Sequence, residues 1–159
     1  MELKMLTADQ AEQLTTIFVE LEEYYFAERA ASPEEIQQYL RNFLFSPDSG
    51  VRVIAAYLDG IVMGFATYSI MYPAPKLSGQ MYMKDLFVSK RARGHGVGRR
   101  IMQFLAAYAL EKGCARLDWT AETTNPKAGE FYHSIGADLV SEKQYYRFSE
   151  DKLHQFALQ

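Results

Sequence analysis

The sequence predicts an α/β domain of the α+β kind, with a mixed antiparallel and parallel central sheet of about six to seven strands flanked by about four helices. Three observations lead there. Two β-rich runs, Arg52 to Leu58 and Ile61 to Tyr72, are separated by Asp59-Gly60, a two-residue hairpin signal. The succession Gln80 to Val88, Val97 to Lys112 and Ala115 to Ala121 reads strand, helix, strand, which makes the two strands parallel. With 159 residues, 48% of them apolar, the chain has material for one full core, so residues 1–159 are expected to form a single domain.

The elements follow in order. Leu3 to Leu6 is a short strand. Thr7 and Gln10 then stand in capping-box register before a helical set of Ala11, Leu14, Phe18, Leu21 and Tyr25. Ser32-Pro33-Glu34-Glu35 repeats the start signal with Pro at the first helical position, and Ile36, Tyr39, Leu40, Phe43 and Leu44 give that helix one apolar face. After the hairpin, Pro73 to Gly79 loops into the strand Gln80 to Val88. Val97, Ile101, Phe104, Leu105, Tyr108 and Ala109 have helical spacing and stop at Gly113, and Leu117 and Trp119 share one face of the next strand. Asn125-Pro126 starts a helix that Ile135-Gly136 ends. Two last strands are expected near Asp138 to Val140 and Tyr145 to Phe148.

Composition excludes several classes. A single cysteine, Cys114, rules out an internal disulfide framework. It follows a helix C-terminus, where no positive dipole activates a thiol. His95, His133 and His154 lack metal-ligand spacing, so no metal is expected. The start Met-Glu-Leu-Lys has no signal-peptide core and no long apolar run follows, which points to the cytoplasm and away from a membrane.

The segment Asp85 to Ile101 carries the chemistry. An apolar strand runs into a turn with Gly94, Gly96 and Gly98, which opens directly into an amphipathic helix. Backbone N–H groups at such a junction can point at an anion. Five of the 17 Lys and Arg residues, Lys90, Arg91, Arg93, Arg99 and Arg100, crowd here in a chain of net charge −3. The glycines fit neither the dinucleotide spacing G-x-G-x-x-G nor a P-loop, which would need Gly-Lys-Ser/Thr where Gly98-Arg99-Arg100 stands. A nucleic-acid module is the other use of such a cluster. The acidic remainder and the lack of stacking aromatics in the loop argue against it, so no nucleic-acid partner is expected.

Arg93-x-x-Gly96-x-Gly98 after a strand resembles the pyrophosphate motif of the GNAT superfamily of acyl-CoA-dependent N-acyltransferases, and the order of elements is similar over nearly the whole chain. The resemblance implies acetyl-CoA as co-substrate, bound by Arg93, Gly94, His95, Gly96, Val97, Gly98 and Arg99. It also implies a bulged strand whose Leu86, Phe87 and Val88 offer backbone donors to the thioester carbonyl and pantetheine amides. Asn125-x-x-Ala-x-x-Phe-Tyr132-x-x-x-Gly-Ala is similar to a second GNAT segment, which implies that Asn125 contacts the pantetheine arm and Tyr132 protonates the thiolate. A thiolate (pKa ~8.5) and a phenol (pKa ~10) are close enough for that transfer. The alternative for Tyr132 is core packing.

Met63 to Tyr72, Tyr82 to Val88 and Gly136-Ala-Asp are similar to the diamine and polyamine branch, which implies a cationic amine acceptor. Those enzymes carry Glu-Asp on the strand where this chain has Lys84-Asp85, and a lysine repels a polycation. Asp85 and Glu122 remain as candidate proton acceptors, each with the alternative of a structural polar residue at a strand end. Glu23 and Tyr25, in the run Glu20 to Phe26, could hold an ammonium group by charge and cation–π contact. The expected reaction is direct acetyl transfer to a small primary amine, polyamine-like or amino-acid-like, in a ternary complex. A non-catalytic acyl-CoA sensor is the alternative. Relatives are often dimers, which implies a homodimer here.

Overall fold

The computed structural model describes residues 1–159. Residues 1–120 and 121–159 form two compact units.

The first unit is built on a five-stranded sheet in the order β1 (Glu2–Leu6), β2 (Arg52–Leu58), β3 (Ile61–Ala74), β4 (Ser78–Val88), β5 (Cys114–Asp118). The first three pairings are antiparallel, and β4 pairs β5 in parallel, as the strand, helix, strand reading requires. The hairpin turns at Asp59 (φ 50°) and Gly60 (φ 77°), the two positive values of a tight turn whose twist matches its strands. Of the helices, α1 (Thr15–Phe26) follows a 3-10 segment over Ala8–Leu14, and α2 (Pro33–Tyr39) widens into a π turn over Leu40–Leu44. The start of α2 is a full capping box. Ser32 N–H donates to Glu35 Oε2 (2.8 Å) and Glu35 N–H to Ser32 Oγ (3.2 Å). The Ser32 backbone N–H, and after it the Ser32 hydroxyl, hold the Glu35 carboxyl below its usual pKa.

Residues 53–57 and 62–68 are buried without alternation, because helices cover both faces of the sheet. On one face Phe18 of α1 stacks on Phe65 (4.8 Å), beside Leu14, Ile17, Ile36 and Leu40. On the other lies α3 (Val97–Glu111), with Val97, Ile101 and Leu105 buried and Tyr108 edge-on to Tyr68 (6.0 Å). Gly64 sets the height of α3. A methyl there would lie 2.8 Å from Val97 Cγ1 and 3.3 Å from Ile101 Cδ1, so only a glycine lets the first turns of α3 settle on β3.

The second unit contains α4 (Pro126–Ser134) and α5 (Glu150–Ala157). Asn125 caps α4, its Oδ1 accepting from Ala128 N–H at 3.2 Å, and Gly136 (φ 88°) follows the end of the helix. The two expected last strands are absent. Neither Asp138 to Val140 nor Tyr145 to Phe148 forms a strand, so the sheet has five strands rather than six to seven, and α5 brings the helices to five. Such short runs become strands only when a neighbouring strand supplies the ladder. The start of α5 has a readable signal, Ser149 before Glu150 and Asp151, and Phe148 stacks on Phe156 at 4.7 Å.

Candidate active site

The anion-binding turn begins where β4 ends. Ser89 is buried, and its N–H donates to Met63 O (2.9 Å), pinning the chain to β3. Its Oγ accepts from Arg91 N–H at 3.3 Å over one 3-10 turn, Lys90–Ala92. Beyond it Gly94 (φ 78°) and Gly96 (φ 75°) adopt the left-handed conformation that other residues resist. A Cβ at either would meet nothing within 4 Å, so their need for glycine is conformational and the space above them is open. Gly96 is the N-cap of α3 and supplies no capping side chain. The first helical bond runs from Arg100 N–H to Gly96 O (3.0 Å). The N–H groups of Gly96, Val97 and Gly98 therefore precede any helical acceptor and face outward at the positive end of the helix dipole. Arg91, Arg99 and Arg100 are exposed around them. Donors, dipole, cations and open space fit a pyrophosphate.

Arg93 and His95 do not simply point at that space. Arg93 Nε–H donates to Val88 O (3.0 Å), and its guanidinium lies 5.5 Å from the Tyr24 ring centroid and 5.8 Å from that of Phe87. His95 Nδ1 is bonded to Arg93 O at 2.9 Å, so its ring serves the turn.

The strand before the turn is open on one side. β5 pairs with β4 only from Gly79 to Tyr82, where Asp118 Oδ2 accepts from Gln80 Nε2 (2.5 Å) and lies 3.1 Å from Arg116 Nε. From Met83 onward β4 pairs with β3 alone. A bulge at Lys84 interrupts that ladder, because Tyr68 faces Met83 and Thr67 faces Asp85. The bond from Arg93 shows that Val88 C=O points away from β3. Strand alternation then places the N–H groups of Val88 and Leu86 on the same open side, with those of Phe87 turned toward β3.

The bulge turns Lys84 outward, its side chain 69% exposed, and places its Nζ 3.9 Å from Asp85 Oδ1. Asp85 Oδ2 accepts from the buried Thr67 hydroxyl at 2.7 Å. Thr67 was not read from the sequence. The signal was a hydroxyl inside the apolar run Met63 to Tyr68, which requires a partner.

Glu23 and Tyr25 are exposed on α1, and Tyr25 packs edge-on against Tyr24 (5.0 Å). The residues that reach the turn are Glu20, whose Oε1 accepts from Lys90 N–H (2.7 Å), and Tyr24, edge-on to Phe87 at 6.3 Å. Their spacing from the buried Ile17, three and seven positions, was the readable sign.

Tyr132, Asn125 and Glu122 belong to the second unit. Tyr132 is half-buried on α4 with its ring 5.3 Å from Phe131, Asn125 caps that helix, and Glu122 is exposed just before it. Cys114 is buried, which pushes its thiol pKa up, the opposite of what a nucleophile needs. No helix is long and apolar enough to cross a membrane.

A glycine turn opening α3, beside a split parallel strand pair on a mixed sheet, defines a class. The family model described as "Acetyltransferase (GNAT) family" matches residues 14–137, and the chain belongs to that family. A solved integron cassette protein from the mobile metagenome of V. cholerae is 56% identical with a TM-score of 0.97, covering 98% of this chain and 96% of that one. Thialysine N-epsilon-acetyltransferase of Bos taurus is 29% identical over 99 residues, 60% of this chain and 58% of that protein. L-ornithine N5-acetyltransferase NATA1 of Arabidopsis thaliana is 28% identical over 95 residues, 60% of this chain and 42% of that protein. The chain thus spans less than two thirds of the length of these curated relatives.

Proposed function

We propose that the chain, working as one domain over residues 1–159, transfers an acetyl group from acetyl-CoA to a primary amine of a small molecule. The observation that carries this is the uncapped α3 N-terminus behind Gly94 and Gly96, with its outward donors and clustered cations. The turn residues Gly94 to Arg99 would hold the pyrophosphate, and the open edge at Leu86 and Val88 would bind the pantetheine arm and polarise the thioester carbonyl. Asn125 would add an amide donor, since its Oδ1 is already used by the cap.

The amine nitrogen attacks the carbonyl carbon, the C–S bond breaks, and the thiolate takes a proton from the Tyr132 hydroxyl. The proton that the amine loses goes to a carboxylate, for which Asp85 and Glu122 are the candidates. Asp85 is the better placed of the two by its own surroundings, because Thr67 fixes one oxygen and leaves the other toward solvent and Lys84.

Lys84 supports an amino-acid-like acceptor over a polyamine, with Glu23 and Tyr25 facing the amine end, because an ammonium beside the cleft attracts a carboxylate and repels a polycation. The relatives named for thialysine and ornithine are consistent with this. The reaction needs no metal, nucleic acid or membrane, and we place the enzyme in the cytoplasm as a homodimer. A thiol-release assay with ornithine, lysine, spermidine and a short peptide tests the reading. Amino acids should be turned over faster than spermidine, and Lys84→Glu should reverse the order. No thiol release with any amine, alongside normal CoA binding, would leave an acyl-CoA sensor.

A further inference from the structure

We infer that the end of α1 and the 88–93 turn behave as one piece, and that Arg93 serves as a positioning residue fastening them rather than as a charge on the phosphates. This rests on reading the turn as the acetyl-CoA site. Two links, one helical turn apart on α1, join elements some 70 residues apart in sequence. Glu20 Oε1 accepts from Lys90 N–H at 2.7 Å, a charge-assisted bond. Tyr24 packs edge-on to Phe87 (6.3 Å), with the Arg93 guanidinium 5.5 Å from its ring centroid.

The Arg93 side chain is itself committed on two sides. Nε–H is spent on Val88 O (3.0 Å), the carbonyl at the end of the open β4 edge, and the cation sits against two aromatic rings. A phosphate ligand would keep its fork toward the anion. Arg93 instead connects three things: the last carbonyl of the strand that holds the acyl arm, the backbone turn that holds the pyrophosphate, and the last turns of α1, where Glu23 and Tyr25 lie. A ligand that orders the turn must therefore also order residues 19–26. By reciprocity, whatever orders that helix end favours the ligand.

Amide hydrogen exchange of residues 19–26, measured with and without CoA and paired with calorimetric titration of CoA, tests this. In the unaltered chain CoA should slow exchange there by roughly five- to tenfold, the lower range for coupled sites. Arg93→Lys keeps the charge but lacks the planar fork. It should bind CoA within about threefold of the unaltered chain, a small fraction of its binding free energy, yet lose the protection of α1. Tyr24→Leu, which leaves the turn itself unaltered, should do the same. CoA binding without protection of α1 in the unaltered chain would overturn the linkage. Protection retained in Arg93→Lys while CoA weakens about tenfold would make Arg93 a phosphate ligand. Failure of the unaltered chain to bind CoA would instead bring down the acetyl-CoA reading itself.

Discussion

At the scale of single residues, the chemistry proposed for Tyr132 comes down to one hydroxyl. Tyr132→Phe keeps the ring packed near Phe131 and removes the proton, so kcat should fall by roughly 10²-fold or more, as for other general acids. KM for acetyl-CoA should stay within error. A kcat unchanged when chemistry limits the rate would assign Tyr132 to packing. Residue identity was legible unevenly. Arg93, Gly94 and Gly96 stood out by type and spacing, whereas which acids and rings of the run Glu20 to Phe26 reach the turn depends on helix phase, which the start of α1 decides. The 3-10 segment before Thr15 moved that start. The contacts of the Arg93 side chain with two rings and a carbonyl left no mark in residue type or spacing.

At the scale of elements, α3 and its N-terminal turn make the sharpest claims. Gly96→Val places a branched side chain at φ 75°, a strain of roughly 1–2 kcal/mol or more, and fills space that the structure leaves open. The protein should melt lower but fold, and calorimetry should show CoA affinity reduced at least tenfold, about one 1.4 kcal/mol step. Normal CoA affinity in a folded variant would rule out the turn as the binding cradle.

On β3, burial pushes the Tyr68 hydroxyl up to about 12, with the neighbouring Tyr108 adding to the rise. A raised folded pKa gives stability that is complete below the unfolded value near 10 and drains away as pH climbs toward 12. Thermal melts between those limits should therefore fall more steeply for the unaltered chain than for Tyr68→Phe, and parallel curves would contradict it. The hairpin, both helix-start signals at Ser32 and Asn125, and the parallel pair were all legible, since each has a local cause. The two last strands were misread because strand pairing is not local, and α5 was passed over although Ser149, Glu150 and Asp151 announced it.

At the scale of the whole molecule, the second unit leaves Leu139 (94% exposed), Tyr146 (83%) and Leu158 (88%) in solvent, with Tyr145, Phe148 and Phe156 also exposed. So much apolar surface on so few residues supports the proposed homodimer. Light scattering on the eluting protein should give twice the chain mass, and Tyr146→Glu with Leu139→Glu should shift it toward one chain. A single-chain mass for the unaltered protein at micromolar concentration would refute the dimer. The split between β4 and β5 has a consequence for how such a molecule drifts over generations. On the proposed reading, the donor is handled by main-chain atoms, the N–H groups of Leu86, Val88, Gly96, Val97 and Gly98. Apart from Gly94 and Gly96, whose left-handed backbone other residues resist, a changed codon swaps a side chain and leaves those atoms in place. The acceptor is met by Lys84, Asp85, Glu23 and Tyr25, each removable by one changed codon. Inheritance of the acetyl donor is thereby robust while the choice of amine is exposed to mutation, so a lineage built on this frame can change what it acetylates without relearning how.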